Sequence, residues 1–157
     1  MAEVALVASI VQIADIGIRL SLRLYAFGET VASADQSILA ISKDISLTSA
    51  VLKELGSIFG NQSERLHSQN AIETAESVVR ECSAAFEDIE NILLAKVPSL
   101  QSANVEKRSR ATQLLERLRW PTIKGKIQML NCNLDRMKST LTLMLNVIIY
   151  AKQVSDR

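Results

Sequence analysis

The side chains best equipped for chemistry in this chain are few and scattered. They are one histidine, His67, two cysteines, Cys82 and Cys132, and two glutamate pairs at a spacing of three, Glu73 with Glu76 and Glu87 with Glu90. A zinc or iron centre built on imidazoles needs several of them, so a lone histidine excludes a multi-histidine metal site. His67 stands among Ser, Gln and Asn residues near an expected helix start, where it reads as an exposed or capping residue. A cysteine nucleophile needs a base or a positive field to form its thiolate. Cys82 falls instead on an apolar helical stripe, and neither cysteine has an activating neighbourhood. The glutamate pairs resemble half of a di-iron motif, but that chemistry uses inward carboxylates and a Glu-x-x-His pairing. Both pairs lack the histidine and fall opposite the hydrophobic stripe, so they read as solvated helix faces.

Phosphate chemistry fares no better. The segments around Gly28 and Gly60 lack the glycine array and the Gly-Lys-Ser/Thr ending that wraps phosphates, and Gly125-Lys126 lies inside an expected helix. We therefore expect no enzyme, no metal and no cofactor.

Charge offers a second kind of site. The formal net charge is +1, which gives no global field for an anionic partner, but its distribution is uneven. From Gln101 onward eleven Lys or Arg face four Asp or Glu, whereas residues 1–78 carry five basic and nine acidic residues. Lys107, Arg108, Arg110, Arg117, Arg119, Lys124 and Lys126 form the cationic stretch, with Trp120 in its midst. One reading is an ordinary charged outer face. The other is a surface for anionic phospholipid headgroups or an acidic partner, with Trp120 at the boundary between apolar and polar surroundings. Nucleic acid is not expected as a partner, because balanced charge and 4% aromatic residues supply neither a phosphate track nor stacking platforms.

The elements that must position these groups are helices. Only five Gly and two Pro interrupt 157 residues, and the β-branched residues recur at helical spacing, without alternating. A first helix is expected over residues 3–27, with Val4, Val7, Val11, Ala14, Ile18, Leu22 and Tyr25 on one stripe. Leu6, Ile10, Ile13, Ile16, Leu20 and Leu24 widen its apolar surface, and Gly28 is expected to end it. A second helix, capped by Ser33 or Asp35, carries Ile38, Ile41, Ile45, Thr48, Leu52, Leu55 and Phe59 up to Gly60-Asn61. A third, capped by Ser63, carries Ile72, Ala75, Val79, Cys82, Phe86, Ile89 and Leu93 and stops near Val97, ahead of Pro98. A short charged helix over residues 105–118 should break at Trp120-Pro121, with one kinked helix through the region as the alternative. The final helix bears Ile123, Ile127, Leu130, Leu134, Met137, Leu141, Leu145 and Ile148.

Together these stripes imply an all-α fold, an up-and-down bundle of four long helices with an additional short one. We expect a single domain over residues 1–154 and a tail at 155–157. The isolated cysteines match the reduced, space-filling use expected inside a cell, with a Cys82–Cys132 disulfide as the minor alternative. Residues 4–11 are strongly apolar, yet Glu3 replaces the basic start of a secretory signal and Asp15 interrupts the run short of a charge-free membrane span.

The whole chain, over roughly residues 1–154, resembles the N-terminal helical domains of fungal NACHT/NB-ARC and ankyrin-repeat receptors, a group similar to HeLo-like domains. The resemblance rests on the small-residue-rich opening Val4-Ala5-Leu6-Val7-Ala8-Ser9-Ile10-Val11-Gln12-Ile13-Ala14. It rests also on the late stretch 115–127, LERLRWPTIKGKI, followed by Leu130-Asn131 and by Leu141-Thr142-Leu143-Met144-Leu145. It implies a signalling module in self/non-self recognition, sometimes tied to programmed cell death, with an apolar N-terminal helix that targets membrane. Trp120, Lys124 and Lys126 match the family's late motif and receive no catalytic role from it. Glu3 and Asp15 depart from a purely lytic helix.

Two functions follow as expectations. The leading one is a non-enzymatic interaction module, cytoplasmic, that meets a protein partner or a second copy of itself. The other is a membrane effector, peripheral at the plasma membrane, acting through its first helix. Val4, Val7, Ile10, Val11, Ile18 and Leu22 are the candidate partner or membrane face. Lys107, Arg108, Arg117, Arg119, Trp120, Lys124 and Lys126 are the candidate cationic surface.

Overall fold

The computed structural model describes residues 2–30, 36–61, 69–96 and 110–155, all of them helical, with no strand among them. The four helices are α1 (Ala2–Thr30), α2 (Gln36–Asn61), α3 (Gln69–Lys96) and α4 (Arg110–Ser155). Their principal contacts join α1 to α2, α2 to α4, α4 to α3 and α3 back to α1, so the helices enclose one core. The expected stripes of α2 and α4 supply it almost residue for residue. Ile38, Ile41, Ile45, Leu52, Leu55 and Phe59 are buried from α2, and Ile123, Ile127, Leu134, Met137, Leu141 and Ile148 from α4. From α3 come Ile72, Ala75, Val79, Cys82, Phe86 and Ile89. Each medium-sized side chain sealed this way contributes about 1.5–3 kcal/mol.

The seam between α1 and α2 is close where small residues line it. Gly28 lies where a Cβ would stand 2.6 Å from Ile38 Cγ2, Gly56 where one would stand 3.0 Å from Ile10 Cγ2, and Gly17 packs on Ser49 and Phe86. The Ser42 hydroxyl donates across the seam to the Ser21 carbonyl at 2.7 Å, both residues buried. Contacts that climb α1 therefore descend α2, and the two helices run in opposite directions. Gly17 against Phe86 and Arg23 against Glu90 give α3 the same direction as α1.

Two expectations are corrected here, and the orientation of α1 is fixed. Gly28 does not end the first helix, which continues to Thr30, and no described glycine has a positive φ. Its lack of a side chain serves close approach to α2, not a left-handed turn. The inner stripe of α1 is Leu6, Ile10, Ile13, Ala14, Leu20, Leu24 and Phe27, and Val4, Val11, Leu22 and Tyr25 lie outside, so that Val4, Val11 and Leu22 of the candidate partner face are exposed. The expected break at Trp120-Pro121 is absent, and residues 110–118 of the short helix belong to α4, which carries Pro121 in its interior. Burial of Ile123 and Ile127 just beyond the proline anchors the helix against a cost of about 3 kcal/mol for interior proline. Residues 105–109 and the expected caps Ser33, Asp35 and Ser63 lie outside the described residues. The described parts of α2 and α3 run to Asn61 and Lys96.

Candidate interaction surfaces

Helix α1 carries two apolar stripes, each with alternating steps of three and four residues. The inner one, 6-10-13-17-20-24-27, faces the core. The outer one, 4-8-11-15-18-22-25, faces solvent, with exposure from 44% at Val11 to 72% at Val4 among its exposed large side chains. Leu22 and Tyr25 share that exposure, and Ile18 is half-buried. Such spacing is what a helix needs to present a continuous seam to another helix. The six candidate residues therefore divide. Val4, Val11 and Leu22 stand open and Ile18 partly so. Val7 is half-buried on the core, and Ile10 is wholly sealed against Gly56, so Ile10 is withdrawn from the surface.

Asp15 sits midway along the outer stripe. Lys53 of α2 reaches its carboxylate at 3.8 Å, both side chains more than half exposed. A solvated pair of this kind contributes little stability; its consequence is a polar step in the middle of an apolar face. At the end of the stripe the Tyr25 phenol hydrogen-bonds Glu29, whose charge holds its pKa above the ordinary value of 10.0. Tyr25 thus stays protonated and donates throughout the neutral range.

A second outer stripe went unnoticed in the sequence. Leu143, Val147, Tyr150 and Val154 of α4 follow one another at steps of four, three and four, each between 53% and 68% exposed. The signal was present as regular spacing, but the adjacent run Leu141, Leu145 and Ile148 satisfied the core pattern and hid it.

The cationic candidates do not assemble into a described patch. Lys107 and Arg108 lie outside the described residues, as do the side chains of Arg117, Arg119 and Trp120. Lys124 is half-buried and engaged in an interaction of its own, and Lys126 is exposed.

The chemistry-bearing residues are dispersed. His67 lies outside the described residues. Cys82 is buried with its Sγ 3.8 Å from Met137 Sδ, and desolvation, aided by the Glu81 charge, pushes its pKa up to about 12. A thiol held neutral in this way is a poor nucleophile. Cys132 is exposed, and both cysteines are free. Glu73 accepts from Gln69 at 3.1 Å, Glu90 pairs with Arg23 at 2.8 Å, and Glu87 is exposed. Among the described residues no three His, Cys, Asp or Glu side chains gather to hold a metal ion.

Comparison of the chain with protein-family models, with curated proteins and with solved structures gave no match.

Proposed function

We propose that the chain is a non-enzymatic helical interaction module, an up-and-down bundle that presents outer helix stripes to a protein partner or to a second copy. The observation that carries this is the outer stripe of α1, with Val4, Val11, Leu22 and Tyr25 exposed while the inner stripe is sealed. Large apolar side chains aligned at coiled-coil spacing outside a closed core are costly to leave wet, and covering them is worth association free energy. The up-and-down course is supported by the opposed α1/α2 contacts and the shared direction of α1 and α3. It is supported as well by the placement of α4, where Asn131 meets Asp44 at 3.0 Å and Met137 meets Cys82. The resemblance to fungal receptor N-terminal domains supports a role in intracellular signalling or self/non-self recognition, in the cytoplasm.

Light scattering across a concentration series tests this reading. The chain should self-associate, or bind a helical receptor partner of the resembled class, and the pair Val11→Glu and Leu22→Glu should abolish association without changing the helical content. A monomer at the highest attainable concentration that binds no such partner would remove its support.

A second reading has its own observation. Residues 4–29 of α1 form a helix long and apolar enough to cross a membrane by length and composition. A core helix of a globular protein passes the same test, and the inner half of α1 is sealed by α2 and α3. Leakage from anionic and neutral vesicles separates the two. Release that requires α1 would favour the membrane effector, and no binding to either vesicle would reject it.

A further inference from the structure

Helices α3 and α4 do not close against one another along their outer edge. Between them runs a half-open trough of about 610 Å³. Its α3 wall is Val78, Glu81, Ala85 and Asp88, and its α4 wall is Leu130, Asn133, Met137 and Thr140. Both walls step by three, four and three residues, so each is a single helix stripe. From Val78 to Asp88 the trough follows three turns, about 15 Å. Ala84 and Ala85 at mid-length keep it deep, and the apolar floor is made by Val78, Leu130 and Met137. A channel bounded by two helix stripes of equal length has the shape that a third helix fills when it packs along both.

The charges narrow the occupant. Glu81 and Asp88 are exposed on one wall, seven residues apart, and among the described residues neither has an ion-pair partner. On the other wall Arg136 is exposed and, among the described residues, donates only to Asn133, at 3.3 Å. Seven residues are two helical turns, so a guest helix with Lys or Arg at the same interval would meet both carboxylates from one edge.

We propose that the α3–α4 trough is a docking site for an amphipathic helix of a separate protein. The guest carries small or aliphatic residues on its buried ridge, basic residues seven apart on the edge facing Glu81 and Asp88, and an acidic residue on the edge facing Arg136. This rests on the reading of the chain as an interaction module and assigns that module a face distinct from the outer stripe of α1.

The test uses the full chain and two designed helical peptides with one Leu/Ala ridge, one bearing Lys at the heptad-spaced edge positions and the other Glu. Fluorescence anisotropy should show the Lys peptide binding about tenfold more tightly than the Glu peptide. The pair Glu81→Lys and Asp88→Lys should invert that preference, and Ala84→Trp, which fills the trough from an exposed position, should weaken both peptides. Melting curves establish that the variants fold. Equal binding of the two peptides, or no binding of either to the native chain, overturns the proposal. Binding that survives both sets of substitutions also overturns it while leaving the interaction module standing, because the peptide would then sit on another face. Self-association that the trough variants abolish would make the occupant a second copy and overturn the assignment to a separate partner.

Discussion

Small residues do opposite things in the two halves of this molecule. Along α1 and α2, Gly17 packs on Ser49, Gly28 on Ile38 and Gly56 on Ile10, and the helices draw together until the Ser42 hydroxyl bonds the Ser21 carbonyl across the seam. Along α3 and α4, Ala84, Ala85, Asn133 and Thr140 all line a trough that remains open. What differs is the partner. A glycine helps packing when the opposing helix supplies a side chain that fills its place, as Ile38 does at Gly28 and Ile10 at Gly56, while Ala84 at a solvated edge leaves a gap. One half is closed, and the other leaves a trough open to solvent.

The largest effect should come from the residue that ties the closed seam to α3. Phe86 is fully buried against Gly17, so Phe86→Ala should cost about 3–5 kcal/mol in chemical denaturation. A loss under about 1 kcal/mol would mean that the seam closes without it.

Next is the layer beneath the trough. Cys82 has its thiol raised from 9.0 to about 12, first by burial and then by Glu81. Because the folded state favours the neutral thiol, its contribution to stability is complete below the ordinary value and is lost as pH climbs through about 12. Unfolding free energies at about pH 8 and about pH 11 should show a loss in the native chain that is smaller in Cys82→Ala. At neutral pH, alkylation should modify Cys132 in the folded protein and reach Cys82 only on unfolding. Rapid modification of Cys82 would show the trough open down to the core.

Smaller changes come from two glycines in like helices. Gly17→Ala should destabilise by about 1–3 kcal/mol because the methyl group meets Ser49 and Phe86, net of its better helix propensity. Gly125→Ala meets nothing within 4 Å and should stabilise by about 0.5–1 kcal/mol. Equal signs in thermal melts would erase the distinction between close and open surfaces.

The stripes of α2, α3 and α4 were legible because each of these helices has one dominant apolar face. Helix α1 has two, and spacing alone does not decide which turns inward; of the candidate partner face Val4, Val11 and Leu22 are exposed, whereas Ile10 is sealed. The overlooked signal was residue size, since Ala14, Gly17, Ser21 and Gly28 mark the side where a second backbone approaches. Pro121 misled in the other direction, its local preference overridden by Ile123 and Ile127 on the core. The α3–α4 trough could not be read from the sequence, because it depends on which residues of two distant helices share a level. The outer stripe of α4 was legible in principle and lost beside a stronger neighbour.

Adjacent residues of α1 offer the most direct test, since Ile10 belongs to the sealed stripe and Val11 to the open one. Thermal unfolding and light scattering on Ile10→Asp and Val11→Asp should show the first losing its cooperative transition, through a charge forced into the core. The second should melt within a few degrees of the native chain and no longer associate. Equal loss of stability in both, or undiminished association of Val11→Asp, would contradict an α1 divided between core and partner.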